Sequence, residues 1–386
     1  MKSYQFLIFF GIVLTIYTLL HLYIFSRGLQ AFPAGSTGRS WFTWTFWLLA
    51  VAYPLARFLE RIWLSPVSDV LTWIGSFWLA AFLYFLLAVI IIDVARLLNL
   101  VIPFFKLLAG DQPAHARWLI FVVTAGTVLL LVAAGHINAL TTKISHHSIT
   151  INKPSASKKT IRVVAISDIH MGTVIGPRRL NKLIGLIADQ KPDIVLMAGD
   201  VVDEDLAPVI RYDLGKLLKE IKAPLGVYAI TGNHEYIGGA EKAVKYLTDH
   251  GISMLRDTAL LIDHSFYLIG REDRDRSRFS GKPRKSIVEL VKGLDPAKPK
   301  IMLDHQPYAL HEVVDAGIDL QISGHTHHGQ LWPLGYVTSA IFELSRGYRQ
   351  KANTHFLVST GFGTWGPPVR TGNRPEILVI DLTFKH

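Results

Sequence analysis

The chain has 386 residues, 50% of them hydrophobic and 18% charged, with a mean hydropathy of +0.31 and a formal net charge of +10. That composition excludes intrinsic disorder and collagen-like repeats. The absence of cysteine excludes a disulfide framework, an iron–sulfur cluster and a thiolate zinc site, so any metal must rest on His, Asp, Glu or Asn. Charge is unevenly spread: residues 1–140 hold 8 Lys+Arg and 4 Asp+Glu, the remainder 32 and 26. No dense basic run or nucleic-acid motif is present, so no nucleic-acid partner is expected. The mild positive balance suits an anionic substrate or an anionic lipid surface.

In chain order, four charge-free runs come first: Ser3–Ser26, Ser40–Ala56, Val70–Ile92 and Trp118–Thr142. A spanning helix needs about 20 apolar residues, and these runs predict an all-α, four-helix multi-pass membrane domain over residues 1–140. The second run is short and carries Pro54, but Trp41, Trp44 and Trp47 suit an interface and Arg57 can snorkel. A cleaved signal peptide is the alternative for the first run; its length and tyrosines count against that. Four spans put both termini on one side. Lys2, Arg57, Arg61, Lys143, Lys153, Lys158 and Lys159 then face Arg27, Arg39, Arg96, Lys106 and Arg117 across the membrane. Seven against five favours a cytoplasmic C-terminal domain in the cell (inner) membrane.

Residues 141–159 are polar and read as a linker. From Thr160 to His386 the pattern changes to strands alternating with helices. Ile161–Ser167 is a continuous β-branched run, followed by strand candidates at Ile194–Met197, Val227–Ile230, Leu260–Ile269, Ile301–Leu303, Leu320–Ser323, Phe356–Ser359 and Ile377–Ile380. Helical stretches fall near Arg178–Gln190, Pro208–Lys222, Ala240–His250 and Ser286–Leu294. This predicts a layered α/β domain.

The strand ends carry the polar chemistry, where ligands bind in open α/β sheets. Asp168-Ile169-His170 follows the first strand and Gly199-Asp200 the second. Gly232-Asn233-His234-Glu235 follows the third; Asp304-His305 and Gly324-His325-Thr326-His327 follow two later ones. Taken singly, each is more often a turn or a structural histidine. Together they deliver oxygen and imidazole donors to one rim, too many for one tetrahedral ion, as manganese, iron or zinc in a two-metal site requires.

The blocks Asp-x-His, Gly-Asp, Gly-Asn-His-Glu, His and Gly-His-x-His resemble the calcineurin-like metallophosphoesterases over Thr160–His386. Gly361–Gly366, Pro368–Arg370 and Pro375-Glu376 are also similar to the membrane-associated bacterial members. The resemblance implies a four-layer domain, a β-sandwich flanked by helices, with two divalent metal ions. Asp168, His170 and His327 would hold one, Asn233, His305 and His325 the other, and Asp200 would bridge them. It implies attack on phosphorus by a metal-bridging hydroxide, with His234 as catalytic acid and Asp203 orienting it. His328 stands where a glycine is common in the family; it is expected to face solvent, with substrate contact as the alternative. Arg271–Lys285 reads as a solvated loop or, alternatively, as a grip on phosphate or an anionic membrane.

The expected substrate is a phosphorylated small molecule, lipid-linked or at the membrane surface, since four spans exceed what a tether needs. Glycolipid-precursor pyrophosphohydrolases, of the kind that cleave UDP-diacylglucosamine, fall within the resemblance. The alternatives are a phosphodiesterase for a soluble substrate and a metal-binding sensor or transport-associated module. The spans have no ionisable residue at mid-depth to mark a transport path; His21 and His136 lie toward span ends.

Overall fold

The computed structural model describes residues 3–102 and 113–385 and divides into two units, one of the N-terminal helices to Ile137 with Gly366–Val369, the other of Asn138–Trp365 and the residues from Arg370 onward. Lys2 and Lys106, counted above for orientation, lie outside the described residues. The first unit contains α1 (Ser3–Leu29), α2 (Thr37–Ile62), α3 (Pro66–Leu98) and α4 (Pro113–Ala139). All four are long and apolar enough to cross a membrane. At 1.5 Å rise per residue even the 26-residue α2 is about 39 Å long, more than a hydrocarbon core of about 30 Å.

The helices extend past the charge-free runs, and several of the charges they take in are paired. Arg57 Nη1 meets Glu60 Oε2 at 2.7 Å, and Thr72 Oγ1 donates to Glu60 Oε1 at 3.0 Å, so the buried carboxylate joins α2 to α3. A Cβ on Gly75 would lie 2.4 Å from the Tyr53 backbone nitrogen, so only glycine lets α2 and α3 approach this closely. The Trp78 indole donates to His21 Nε2 at 3.0 Å, which explains His21 as a tie between α1 and α3.

The second unit runs in chain order through β1 (Lys143–Ile151), β2 (Thr160–Ile166), α5 (Pro177–Asp189), β3 (Ile194–Met197), α6 (Leu206–Arg211), α7 (Leu214–Leu218), β4 (Val227–Ala229), α8 (Asn233–Gly238), α9 (Ala240–Asp249) and β5 (Ser253–Met254). It continues with β6 (Thr258–Ile262), β7 (Phe266–Gly270), α10 (Arg276–Ser280), α11 (Ile287–Val291), β8 (Lys300–Leu303), α12 (Leu310–Asp315), β9 (Leu320–Ser323), α13 (Leu334–Ile341), β10 (Gly347–Lys351), β11 (Thr354–Val358) and β12 (Glu376–Phe384). One six-stranded sheet has the order β1-β12-β2-β3-β4-β5 and the other β10-β11-β9-β8-β7-β6. The central neighbours, β2 to β5 and β7, β8, β9, β11, are parallel.

Period-two alternation makes the layers. Val163, Ala165, Ile194 and Leu196 of one sheet meet Ile301, Leu303, Leu320 and Ile322 of the other in a shared core. Val164, Ile166, Val195 and Met197 point the opposite way onto α5, α7 and α9. Met302, Phe356 and Val358 pack on α11 and α12. The result is the expected helix–sheet–sheet–helix sandwich, and burial on both faces is why central strands such as β3, IVLM, read as apolar on successive residues.

Several local expectations change. Within the segment read as a linker, Lys143–Ile151 is an edge strand, parallel to β12 and burying Ile149 and Ile151. Its other face is polar, so composition conceals the alternation. The single strand expected at Leu260–Ile269 is a hairpin, because Asp263 and His264 take φ of 46° and 54° and reverse the chain. The helix expected over Pro208–Lys222 is two short ones, broken where Asp213 adopts φ 50°. β10, GYRQK, is an exposed polar edge without an apolar signal.

Candidate functional site

Each expected site residue sits just past the carboxyl end of a strand. Asp168 and His170 follow β2, Asp200 and Asp203 follow β3, Asn233 and His234 open α8 after β4, His305 follows β8, and His325 and His327 follow β9. The connections are strained. Asp168, His170, Asp200, His325, His327 and His328 all have positive φ, between 42° and 70°. Non-glycine residues rarely adopt this region, and such strain gathers where side-chain direction matters more than local comfort. At Gly232 the constraint is approach: a Cβ there would lie 2.1 Å from Asp200 Oδ1.

The side chains converge in three overlapping sets. Asp168, His170 and His327 form one, Asp200, His305 and His325 another, and His170, Asp203 and His234 a third; within each, one donor atom per residue lies within 4.8 Å of the others. His170 Nε2 and His327 Nε2 are 3.1 Å apart, with Asp168 Oδ1 3.5 Å from His327 Nε2. Asp200 Oδ2 lies 3.0 Å from His305 Nε2 and 3.9 Å from His170 Nε2, between the first two sets. Asn233 Oδ1 joins the second set, 3.2 Å from His305 Nε2 and 2.8 Å from His325 Nδ1. His234 Nδ1 faces Asp203 Oδ1 at 3.1 Å.

The electrostatics are those of charge held out of water. Burial pushes the Asp168 carboxyl up. Burial acts the same way on Asp200, but His305 and His234 outweigh it and hold that carboxyl well below the usual range. Burial, then the neighbouring His305, drives His325 down to about 3. His234 rises to about 9, because Asp200, Asp203 and Glu204 overcome its desolvation. Buried imidazoles and carboxylates crowded without sulfur match the donor preference of hard to borderline divalent cations, so the residues fit such ions.

The comparisons with known proteins agree. The model of the calcineurin-like phosphoesterase family matches residues 161–329. A metallophosphoesterase of Aquifex aeolicus is 32% identical over 260 residues, covering 67% of this chain and 98% of the relative. The chain belongs to the calcineurin-like metallophosphoesterases. A Campylobacter jejuni metallophosphoesterase is 26% identical over 98% of this chain and 99% of its own length. A Bos taurus transmembrane protein with a metallophosphoesterase domain is 29% identical over 70% of this chain but only 62% of the relative. As a family member with four apolar helices, the protein is a membrane-associated, metal-dependent phosphoesterase.

Three supporting residues of this metallophosphoesterase had no role in the sequence reading. Glu235 accepts the backbone N–H groups of Asp200, Val202 and Gly232 at 3.1, 2.8 and 2.7 Å, clamping two site loops together. Its position in Gly-Asn-His-Glu was the available signal. Arg370, fully buried, donates to His327 Nδ1 at 3.1 Å and to the carbonyls of Gly361 and Gly363, at 3.2 and 2.6 Å from Nη2. It therefore fixes the ring with Nε2 toward Asp168 and His170. Asp304 accepts Arg271 and Arg284 at 3.1 and 2.9 Å. Those pairs, with Arg276 on Asp257 at 2.6 Å, tie down parts of Arg271–Lys285, while residues 277–283 between them are exposed, as expected of a solvated segment. Arg271 and Arg284 hold Asp304 and so steady the strand end before His305. His328 is half-buried rather than solvent-facing, with Nδ1 3.0 Å from Ser345 Oγ.

Proposed function

We propose that this metallophosphoesterase hydrolyses a phosphoester or pyrophosphate bond in a lipid-linked or membrane-surface molecule, using two divalent cations, manganese in first place and iron or zinc in second. The carrying observation is Asp200, whose Oδ2 stands between the two donor sets. Asp168, His170 and His327 would hold one ion, Asn233, His305 and His325 the other, and Asp200 would bridge. Divalent ions bound there supply Lewis acidity, drawing charge from the phosphoryl oxygens and making water more acidic.

The remaining chemistry falls to side chains. His234 turns Nδ1 toward Asp203, which leaves Nε2 to give its proton to the leaving oxygen. Asp203 holds the ring in that orientation and favours its protonated form. Glu235 and Arg370 keep the donor loops in register before substrate arrives, so positioning is settled in advance.

Two features support a lipid-linked or surface substrate. Four spans hold the enzyme in the membrane and raise the local concentration of anything embedded there. In addition α13, packed against the turn at His327–Gly329, buries none of its residues. Tyr336, Val337 and Ile341, with Trp332 just before it and Trp365 near His234, give an exposed apolar rim. We place the catalytic unit in the cytoplasm on the basic-residue balance of the loops. The test compares full-length protein acting on a lipid-linked pyrophosphate and on bis(p-nitrophenyl) phosphate. The expected result is a kcat/KM at least about tenfold higher for the lipid. Equal rates without detergent or vesicles would favour a soluble phosphodiester.

A further inference from the structure

The four-helix unit holds a second concavity, which the catalytic reading does not use. A cleft of about 160 Å³ lies among α1, α2, α3 and α4. Its walls are apolar and aromatic, with Ile24, Phe46, Trp78 and Val89 buried around it. The cleft is narrow, the width of a chain rather than of a whole headgroup, and its lining is almost wholly apolar.

One end of the cleft is charged. Arg27 lies in the last turn of α1, Arg96 in the last turn of α3, and Arg117 in the second turn of α4. Among the described lining residues the one acidic side chain is Asp93. Its Oδ2 accepts the Tyr23 hydroxyl at 2.7 Å and pairs with Arg27 at 2.9 Å, and its Oδ1 pairs with Arg96 at 3.1 Å. One carboxylate is thus shared by two guanidiniums, and Arg117 meets no carboxylate among the described residues. Among the described lining residues, three arginines against one aspartate leave two positive charges in excess.

An apolar cleft alone would only be filled by surrounding lipid tails. A fixed excess of guanidinium at its mouth is different. Near hydrocarbon, an uncompensated arginine is costly, and phosphate satisfies its planar fork with paired charge-assisted bonds. The arginines lie near helix ends, at the depth where lipid headgroups lie. From Arg96 to Trp78 the cleft wall follows about 27 Å of helix, room for an acyl chain. The geometry points to a binding site for one anionic lipid. Its phosphate would rest on Arg96 and Arg117, and a chain would run past Phe85 and Phe121. This site stands independently of the catalytic reading.

The test uses full-length protein in mild detergent, with native mass spectrometry and helical circular dichroism as the fold control. The probes are phosphatidylglycerol, diacylglycerol and inorganic phosphate. One phosphatidylglycerol should bind per chain, about tenfold tighter than either other probe. The double variant Arg96→Gln, Arg117→Gln should weaken it about tenfold while helical content is retained. Ala125→Phe, which fills the apolar wall and leaves the arginines untouched, should also weaken it. Equal binding of phosphatidylglycerol and diacylglycerol, or indifference to both variants, would show annular lipid only. Inorganic phosphate binding as tightly as phosphatidylglycerol would show a free-anion site, and either result overturns the proposal.

Discussion

At the scale of single residues, the site depends on backbone approach as much as on ligand chemistry. Gly232 shows this. A Cβ there would press on both the carboxylate and the backbone nitrogen of Asp200, at 2.1 and 2.5 Å, and neither can retreat. Gly232→Ala is therefore expected to lower turnover about 100-fold, the scale of a displacement near 1 Å, while the sandwich still folds; steady-state kinetics and circular dichroism check this. The donors themselves were legible in the sequence, because Asp, His and Asn at five strand ends form a repeated pattern. Arg370 was not. It is more than forty positions from His327, and only the fold brings its guanidinium within 3.1 Å of that ring. The ion pairs of Arg271, Arg276 and Arg284 were hidden for a related reason: a run of charges looks the same whether its partners are water or buried carboxylates.

At the scale of elements, burial on two faces explains what could be read and what could not. β2 and β3 pack on the opposite sheet with one face and on helices with the other, so Val163–Ile166 and Ile194–Met197 are apolar throughout and the strands stand out. β1 and β10 are edges, whose polar faces hide them among loops. The same geometry makes the central strands the main source of stability. Leu196 of β3 is fully buried between the sheets. Leu196→Ala is expected to cost about 2–5 kcal/mol, from lost burial and the cavity left behind. Chemical denaturation should show a lower midpoint with an unchanged slope. Turnover of the protein that remains folded should be nearly normal, because the side chain lies in the apolar core between the sheets.

At the scale of the whole molecule, the chain combines a membrane unit with a catalytic unit that crowds buried carboxylates and imidazoles at one rim. Cations that bind this rim bind the folded state alone, so they should stabilise it by mass action. At 100 times the dissociation constant the effect is about 2.7 kcal/mol. Removal of divalent ions by EDTA is expected to lower the unfolding temperature of the catalytic unit, and Mn²⁺ should restore it. An unfolding temperature unmoved by EDTA and Mn²⁺ would separate the donor cluster from metal binding.

The most direct test of the central claim is turnover and metal content of the full-length His234→Ala protein, measured beside the unaltered chain with Mn²⁺. The expected result is a fall in kcat of about 10²–10⁴-fold, the worth of a general acid, with bound metal unchanged. Full turnover in this variant would contradict it, since no other group placed at the site is assigned to protonate the leaving oxygen.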